Sequence, residues 1–406
     1  MPFASADAPA GGMVDILEAF GPLAAMHAAL DQAGVGLPCS SAAYFPGRRE
    51  GELGQAIGRV AAGMPVLTSR MRWHGERPML QLQAGGPTHL ADPLAFRPDD
   101  TGVWGYRLAE EGGGVWLVAA FAHAAADGPS MLRFLSAVAR ELDGASPPAA
   151  ASAAKPPTRR LPMAAWLPGF LLEHARSYDG LSPANRRPQS GASFTLLPPA
   201  AAERLQLDAR GTGAAARLAA AAASCLLEQQ RGRAEGLVYL NVPISRTGTA
   251  ALGGFGFDGS SVRLPLRLSR RQGLDALAMR AGEGLKARID HGWDLNLLRF
   301  LSGPPWQRQR FAAVQARKPP DPCLTISWKG RREGLGKPHG VSRVACFAAA
   351  PTLHLSAHVS DGGLSLSLTS PQAQNARQEL LSVIAERLAL GRPAQIHELS
   401  DLTGGG

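Results

Sequence analysis

The sequence predicts an α/β protein in which helices and sheets form layers in two similar halves. Three observations predict this fold. Segments with helical periodicity alternate with segments of strand periodicity. The run Val115–Phe121 is apolar throughout, as is typical of a strand buried on both faces. The composition changes abruptly near residue 146. We therefore expect an N-terminal half over residues 1–145, a linker over 146–190 and a C-terminal half over 191–406, with a mixed sheet in each half.

The composition is that of a globular protein with more than one structural unit. The chain has 406 residues, 45% of them hydrophobic and 18% charged, and its formal net charge is +9. Only five residues are lysine, so the excess is almost all arginine, scattered in short pairs such as Arg48-Arg49. Nucleic-acid binding requires basic residues clustered on one face. We therefore expect no nucleic-acid partner, and at most attraction for an acidic small molecule or an acidic protein.

Sequence features indicate a cytoplasmic protein without an integral membrane segment. Met1–Gly12 lacks the basic residues and apolar core of a signal peptide, and the longest uncharged apolar run, Leu218–Leu227, has ten residues. The four cysteines lie far apart without a C-x-x-C pair, which predicts buried thiols and neither a zinc site nor disulfides.

In the N-terminal half, apolar spacing and turn residues predict two helices and three strands. In the first helix Leu53, Ile57 and Val60 form one stripe, and in the second Met131 and Leu135 do so. The predicted elements, in order, are helix 52–62, strands 65–73, 78–83 and 115–121, and helix 129–142. The linker that follows contains Pro147-Pro148 and an alanine run, which is typical of a surface crossover.

The C-terminal half shows the same alternation and ends in a hairpin and a helix. The pattern predicts strands 193–197, 236–244 and 261–268, helices 212–230, 273–289 and 306–317, hairpin strands 353–359 and 364–368, and helix 372–390. Asp361-Gly362-Gly363 supplies the hairpin turn. His354 and His358 share the polar side of that hairpin, and no neighbouring Asp, Glu or Cys completes a metal-binding set, so we expect no metal there.

The candidate catalytic residues lie between the buried strand and the helix that follows it, in the segment His123-Ala-Ala-Ala-Asp127-Gly128-Pro129. A strand-to-helix turn holds side chains rigidly at a cleft. The positive potential of the helix N-terminus disfavours imidazolium, so His123 is expected to be neutral and available as a base. Asp127 is expected to cap the helix or to pair with an arginine, and Gly128 permits a close approach. The simpler alternative is a buried structural histidine beside an ordinary helix cap.

The segment Gly114–Leu142 resembles the active-site block of the chloramphenicol acetyltransferase-like and condensation-domain acyltransferases. This superfamily also includes wax ester synthase/diacylglycerol acyltransferases and the plant H-x-x-x-D acyltransferases. Residues 56–73, the stretch Asn241–Arg246, and the final hairpin and helix resemble other blocks of the family in the same order. The resemblance implies two halves that form a V, with a tunnel between them for donor and acceptor.

The resemblance also implies an activity and roles for residues. The chain is expected to move an acyl group from a CoA or carrier-protein thioester to a hydroxyl or amine of a small acceptor. His123 would be the general base, Asp127 would orient the loop with Arg70 or Arg246 as its partner, and the Gly128 N–H would stabilise the oxyanion. No cofactor would be bound permanently, because acyl-CoA or an acyl-carrier phosphopantetheine is a co-substrate, and an acyl carrier protein is a candidate partner.

One position departs from the common form of the motif. Ala122 stands where many members carry a first histidine, before His123. The plant branch uses a single histidine, so activity is compatible with this change. The departure also leaves open a non-catalytic, condensation-like protein that binds an acylated partner or lipid, because a fold alone does not establish a reaction.

Overall fold

The computed structural model describes residues 12–98, 102–145, 191–208, 211–230, 232–244, 259–317, 323–331, 341–348 and 352–403. The expected linker 146–190 lies outside the described residues. The elements before it are strands β1 Met13–Asp15, β2 Cys39–Pro46, β3 Arg70–His74, β4 Arg77–Gln81, β5 Thr88–His89, β6 Trp104–Glu111 and β7 Gly114–Phe121, and helices α1 Ile16–Phe20, α2 Pro22–Gln32, α3 Glu50–Ala62 and α4 Gly128–Leu142.

The described elements after residue 190 continue the same alternation. The strands are β8 Gly191–Leu197, β9 Glu235–Ile244, β10 Ser260–Ser269, β11 Cys323–Arg331, β12 Arg343–Ala348, β13 Leu353–Ser360, β14 Gly363–Ser370 and β15 His397–Glu398. The helices are α5 Pro199–Asp208, α6 Ala214–Gln229, α7 Leu274–Asp290, α8 Asp294–Leu301, α9 Pro305–Arg317 and α10 Gln374–Arg387, and a short 3-10 helix covers Asp401–Thr403. Over the described ranges, no helix combines the length and the apolar character needed to cross a membrane.

The predicted α/β fold is confirmed, with one mixed sheet built mainly from each part of the chain. The first sheet has the strand order β12-β2-β7-β6-β5, and the second has the order β10-β9-β11-β13-β14-β8-β15. A small third sheet has the order β1-β4-β3. Strand β7 lies between β2 and β6, and every one of its residues is buried, as its apolar run predicts.

An aromatic cluster fixes helix α4 against the end of strand β7. The rings of Trp104, Phe121 and Phe134 lie with centroids 5.2 to 5.8 Å apart, and all three side chains are buried. The Trp104 indole also donates a 2.8 Å hydrogen bond to the carbonyl of Leu67. Burial of three aromatic rings holds strand, helix and the loop between them in one arrangement.

The two faces of the seven-stranded sheet differ in chemistry. Leu355 and Leu366 lie on one face, in the hydrophobic core that helices α6, α7 and α10 cover. Ser356 and Ser367 are register partners on the other face, and Ser367 is also paired with Phe194. The Phe194 ring packs on Trp116 of the five-stranded sheet, with centroids 5.6 Å apart. The polar face of the large sheet is therefore the one turned toward the first sheet.

Strand β12 belongs to the first sheet and packs against the second. It comes from the later part of the chain, yet it pairs antiparallel with β2 at the edge of the first sheet, with Ala345 opposite Ala42. Its Phe347 ring lies 5.5 Å from that of Phe194 in the large sheet. The core of the first sheet consequently includes residues from both parts of the chain.

One predicted strand is wrong over most of its length. The sequence pattern predicts a strand from Pro65 to Trp73, but the strand begins only at Arg70. The hydroxyls of Thr68 and Ser69 donate to the carbonyl of Pro65, at 3.2 and 2.6 Å, and close a turn there. Side-chain bonds to nearby backbone compete with sheet formation, which explains the shortened strand.

Candidate active site

The loop between β7 and α4 holds the histidine motif in a compact turn. The Ala122 N–H donates to Val103 O at 2.8 Å, and the N–H groups of Ala125 and Ala126 donate back to Ala122 O. Ala122, Ala124, Ala125 and Ala126 are all buried, whereas His123 is half-buried. The run of alanines thus packs a tight loop into the core and leaves the imidazole partly accessible.

The hydrogen bond of His123 defines its tautomer. Nδ1 lies 3.0 Å from the carbonyl oxygen of Ala126. A carbonyl oxygen only accepts, so Nδ1 carries the proton and the lone pair of the neutral ring is on Nε2. The same carbonyl accepts a 3.2 Å bond from the buried thiol of Cys39 on β2, which helps to hold it in place.

The His123 ring is neutral at physiological pH. Desolvation of the ring lowers its pKa from the ordinary value of 6.5 to about 4, with a further lowering by the Lys329 charge, while the bond to Ala126 acts in the opposite direction. Neutral imidazole is the form that accepts a proton. The electrostatics therefore keep His123 in the form required of a general base.

A second imidazole packs against the first. The His27 ring, on helix α2, lies with its centroid 4.3 Å from that of His123, at an angle of 53°. Burial lowers the pKa of His27 well below its usual value, and the neighbouring His123 lowers it further. The contact therefore restricts the orientation of the His123 ring without adding a positive charge to it.

Asp127 is the N-cap of helix α4. Its backbone is extended, with φ −113°, and its Oδ1 accepts a 2.8 Å bond from the Ser130 N–H. Pro129 follows in the first turn, where a missing N–H has no cost. The sequence allowed a cap or an arginine pair for Asp127, and the structure contains the cap.

The surface of Gly128 is covered by Lys329 from strand β11. A methyl group at Gly128 would lie 3.1 Å from Lys329 Cδ and closer still to Cε. The glycine therefore leaves room for this side chain from the second sheet, whereas a Cβ would displace the end of Lys329. This contact brings a cation to the N-terminal end of α4, beside His123.

Strand β11 presents Lys329 in a defined orientation. Its ammonium donates to Ser327 Oγ at 3.3 Å and to the hydroxyl of Ser356 on β13. The register between β11 and β13 shifts after Trp328, and Gly330 has φ 68°, a conformation that favours glycine. Bulges of this kind redirect side chains beside functional sites.

Of the two arginines predicted as partners of Asp127, Arg70 lies within the described residues and Arg246 does not. Arg70 lies on β3 of the small sheet, and its Nε donates to Gln81 Oε1 at 2.9 Å. The structure thus gives Arg70 the partner Gln81. Arg246 lies outside the described residues, so its role stays a prediction.

The fold of the whole chain is similar to the folds of several solved structures. The chain superimposes on the first condensation domain of the calcium-dependent antibiotic synthetase with a TM-score of 0.62 and 18% identity, covering 96% of this chain and 100% of that one. It also matches a trichothecene 15-O-acetyltransferase from Fusarium sporotrichioides, with a TM-score of 0.63, 11% identity and coverage of 93% and 94%.

A third match is polyketide synthase associated protein 5 from Mycobacterium tuberculosis, with a TM-score of 0.57, 15% identity and coverage of 88% and 96%. The chain has the condensation-domain fold. The resemblance predicted from the histidine block is therefore confirmed at the level of fold. No family model and no curated protein matches the sequence.

Within this condensation-domain fold, two residues beside His123, Lys329 and His27, are not predicted from the sequence. Lys329 lies in Leu324-Thr-Ile-Ser-Trp-Lys329, whose strict alternation of apolar and polar residues is a strand signal. His27 lies in a helix with Leu23, Met26 and Leu30 on one stripe. Those patterns predict the elements, but the approach of each side chain to His123 depends on tertiary packing.

Proposed function

We propose that the protein is an acyltransferase that moves an acyl group from a thioester to a hydroxyl or amine, with His123 as general base. The observation that carries this proposal is the hydrogen bond from His123 Nδ1 to Ala126 O at 3.0 Å. It places the lone pair on Nε2 of a neutral, half-buried ring. General bases of this type accelerate reactions by about 10²- to 10⁴-fold.

In the proposed mechanism, Nε2 accepts the proton of the acceptor hydroxyl or amine as its oxygen or nitrogen attacks the thioester carbonyl. A tetrahedral intermediate forms, the carbon–sulfur bond breaks, and Nε2–H returns the proton to the leaving thiolate. The acyl group passes directly to the acceptor, so no covalent enzyme intermediate is required. The bond to Ala126 persists throughout, and it also supports the transient imidazolium.

The N-terminal end of α4 supports the charge that develops in this reaction. Its first N–H groups lack partners within the helix and carry positive potential. We assign the Gly128 N–H a role in stabilising the oxyanion, together with the field of the nearby Lys329. Asp127 acts as a structural residue that fixes the start of the helix through Ser130.

We further propose that the reacting groups meet between the two halves, in a tunnel entered by donor and acceptor. The polar face of the large sheet reaches the loop after β7, because Lys329 of β11 covers Gly128 at the start of α4. Acyl-CoA or the phosphopantetheine of an acyl carrier protein supplies the thioester as a co-substrate, and the acceptor is a small molecule.

The test is product analysis by mass spectrometry with a panel of acyl-CoA and acyl-carrier donors, each combined with hydroxyl and amine acceptors. Mass increments equal to the acyl group on an acceptor are expected for at least one donor class. Binding of an acylated donor without transfer or hydrolysis across the panel would instead favour the non-catalytic alternative suggested by Ala122.

A further inference from the structure

His354 is a buried polar side chain on the face of the large sheet that is turned toward the first sheet. The residue lies on β13 and is 6% exposed. Its register partners are Thr325 of β11 and Thr369 of β14, so the three side chains lie on the same face. Thr369 is buried, whereas Thr325 is half-buried. The face is therefore more accessible on the β11 side of His354 than on the β14 side.

The protonation state of His354 leaves one of its ring nitrogens as an acceptor. Burial lowers the pKa of the ring to about 3, and the Lys329 and His123 charges lower it further, so the ring is neutral at physiological pH. A neutral imidazole has a single N–H. Nδ1 lies 3.4 Å from the carbonyl oxygen of Ala348, which only accepts, so this nitrogen carries the proton. Nε2 therefore presents a lone pair.

The Nε2 lone pair of His354 has no hydrogen-bond donor in the part of the chain that the structure describes. The atom is buried and makes no hydrogen bond to a described residue. Buried polar atoms in native proteins are satisfied by protein, by water or by a ligand. An acceptor nitrogen requires an O–H or N–H group, which a carboxylate or an ether oxygen does not have. The group that pairs with Nε2 is therefore a hydrogen-bond donor.

A short series of contacts connects His354 with His123. Ala348, whose carbonyl His354 contacts, is the register partner of Cys39 on β2. The Cys39 thiol donates to Ala126 O at 3.2 Å, and Nδ1 of His123 donates to the same carbonyl oxygen. Neighbouring strands are about 4.8 Å apart, so these contacts keep the two imidazoles within the length of a small substrate.

We propose that His354 is a specificity-determining residue, whose Nε2 accepts a hydrogen bond from a substrate O–H or N–H group other than the one that is acylated. This donor group belongs to the acceptor, as in a diol or an amino alcohol, or to the acyl chain, as in a hydroxyacyl thioester. The substrate class rests on the proposed function, whereas the binding of a donor group at His354 does not. A substrate without this group leaves Nε2 buried and unpaired, which disfavours its transition state.

Two pairs of substrates test the proposal in turnover. The alcohol 1,3-butanediol is compared with 3-methoxy-1-butanol, which keeps the primary hydroxyl and lacks the second donor, and 3-hydroxybutyryl-CoA is compared with butyryl-CoA. In one of the two pairs, the compound with the additional hydroxyl is expected to have a kcat/KM about tenfold or more higher. A response in the first pair assigns the donor group to the acceptor, and a response in the second assigns it to the acyl chain. Equal kcat/KM values within both pairs would overturn the proposal.

Substitutions separate hydrogen bonding by His354 from packing. His354→Phe removes the acceptor and is expected to reduce the preference within the responding pair to about twofold or less. His354→Gln retains a side-chain oxygen that accepts and is expected to keep part of the preference. His358→Phe is the matched control, because His358 is a buried histidine on the same face of β13, and it is expected to keep the parent preference. His354→Leu replaces His354→Phe if that variant fails to fold, and an unchanged preference in either would overturn the proposal.

Nitrogen NMR of the histidine rings tests the binding of a donor group without turnover. Spectra are recorded on the His123→Ala protein, and the signals of His354 are those lost when His354→Gln is added. Addition of 1,3-butanediol or 3-hydroxybutyryl-CoA is expected to shift the Nε2 signal toward that of a hydrogen-bonded acceptor, whereas 3-methoxy-1-butanol and butyryl-CoA are expected to leave it in place. A signal that none of these compounds shifts would show that Nε2 is satisfied by a buried water only, and would overturn the proposal.

The role of His354 and the proposed function fail in different ways. Acyl transfer with equal kcat/KM within both pairs, and without a shift of the Nε2 signal, overturns the role of His354 while the proposed function stands. A shift of the Nε2 signal without acyl transfer from any donor supports the binding of a donor group by His354 and contradicts the proposed function.

Discussion

The imidazole rings of His27 and His123 pack against each other with centroids 4.3 Å apart, although 95 residues separate them in the chain. Helix α2 supplies one ring and the loop after β7 supplies the other. His123 is therefore held from two sides, by the Ala126 carbonyl at Nδ1 and by the His27 ring at its face. Such restraint places the Nε2 lone pair in a fixed direction.

The first prediction concerns this ring contact. His27→Ala removes the ring that restrains His123, so kcat is expected to fall about tenfold, as for other small losses of catalytic geometry. His27→Phe retains an aromatic ring and is expected to stay within about threefold of the parent rate. Steady-state kinetics on both variants test this. Equal losses in the two would show that His27 acts through its nitrogens and not through packing.

The second prediction concerns the cap of helix α4. Asp127→Ala removes the acceptor of the Ser130 N–H, so the free energy of unfolding is expected to fall by about 1 kcal/mol. Asp127→Asn keeps a side-chain acceptor at the N-cap and is expected to be nearly as stable as the parent. Urea unfolding followed by circular dichroism provides the measurement. An Asn variant as unstable as the Ala variant would contradict the capping role.

The third prediction concerns the contact between Gly128 and Lys329. In Gly128→Ala, the new methyl group collides with the lysine side chain and displaces its ammonium from Ser327 and Ser356. The rate of acyl transfer is therefore expected to fall about as much as in Lys329→Met, because both variants lose the Lys329 field at the start of α4. The double variant should be no slower than the slower single variant, because both substitutions act on the same ammonium. Additive losses would place the two residues in separate roles.

The fourth prediction concerns the pH dependence of stability. Burial lowers the pKa of His354 to about 3, whereas an unfolded histidine titrates near 6.5, so below pH 6.5 the unfolded state binds the extra proton. The stability contributed by neutral His354 is lost as the pH falls, by about 1.4 kcal/mol per pH unit. Burial raises the pKa of Asp31 to about 7, so this carboxyl group has the opposite effect on stability: its contribution grows as the pH falls.

The readout is therefore the difference between the parent protein and His354→Gln. Unfolding free energies are compared from pH 7 to pH 5, and the parent is expected to lose stability more steeply than the variant. Parallel pH profiles for the two proteins would contradict the lowered pKa of His354.

The sequence predicts the segment from β7 to α4 well because its signals are local. The apolar run of β7, the His123 motif and the amphipathic stripe of α4 follow one another along the chain, and the structure contains them in that order. Two other features depend on contacts between distant segments of the chain. These are the pairing of β12 with β2 and the approach of Lys329 to Gly128. Periodicity predicts a strand, but it does not say which sheet the strand joins.

The same limit applies to the polar face of β13. The alternation of His354, Ser356 and His358 is visible in the sequence, and it normally marks a solvent-exposed face. In the structure all three side chains are buried, because this face is turned toward the five-stranded sheet. Only the packing of the two sheets distinguishes a solvated polar face from a buried one.

The role of His123 as general base is tested most directly by the rate of acyl transfer of His123→Ala with the best donor and acceptor of the panel. His291→Ala is the matched control, since His291 is exposed on the protein surface while its Nδ1 bonds to a backbone carbonyl, that of Ala287, at 2.6 Å. Loss of a general base is expected to lower the rate about 10²- to 10⁴-fold in His123→Ala, and His291→Ala is expected to keep the parent rate. Transfer at the parent rate by His123→Ala would contradict that role.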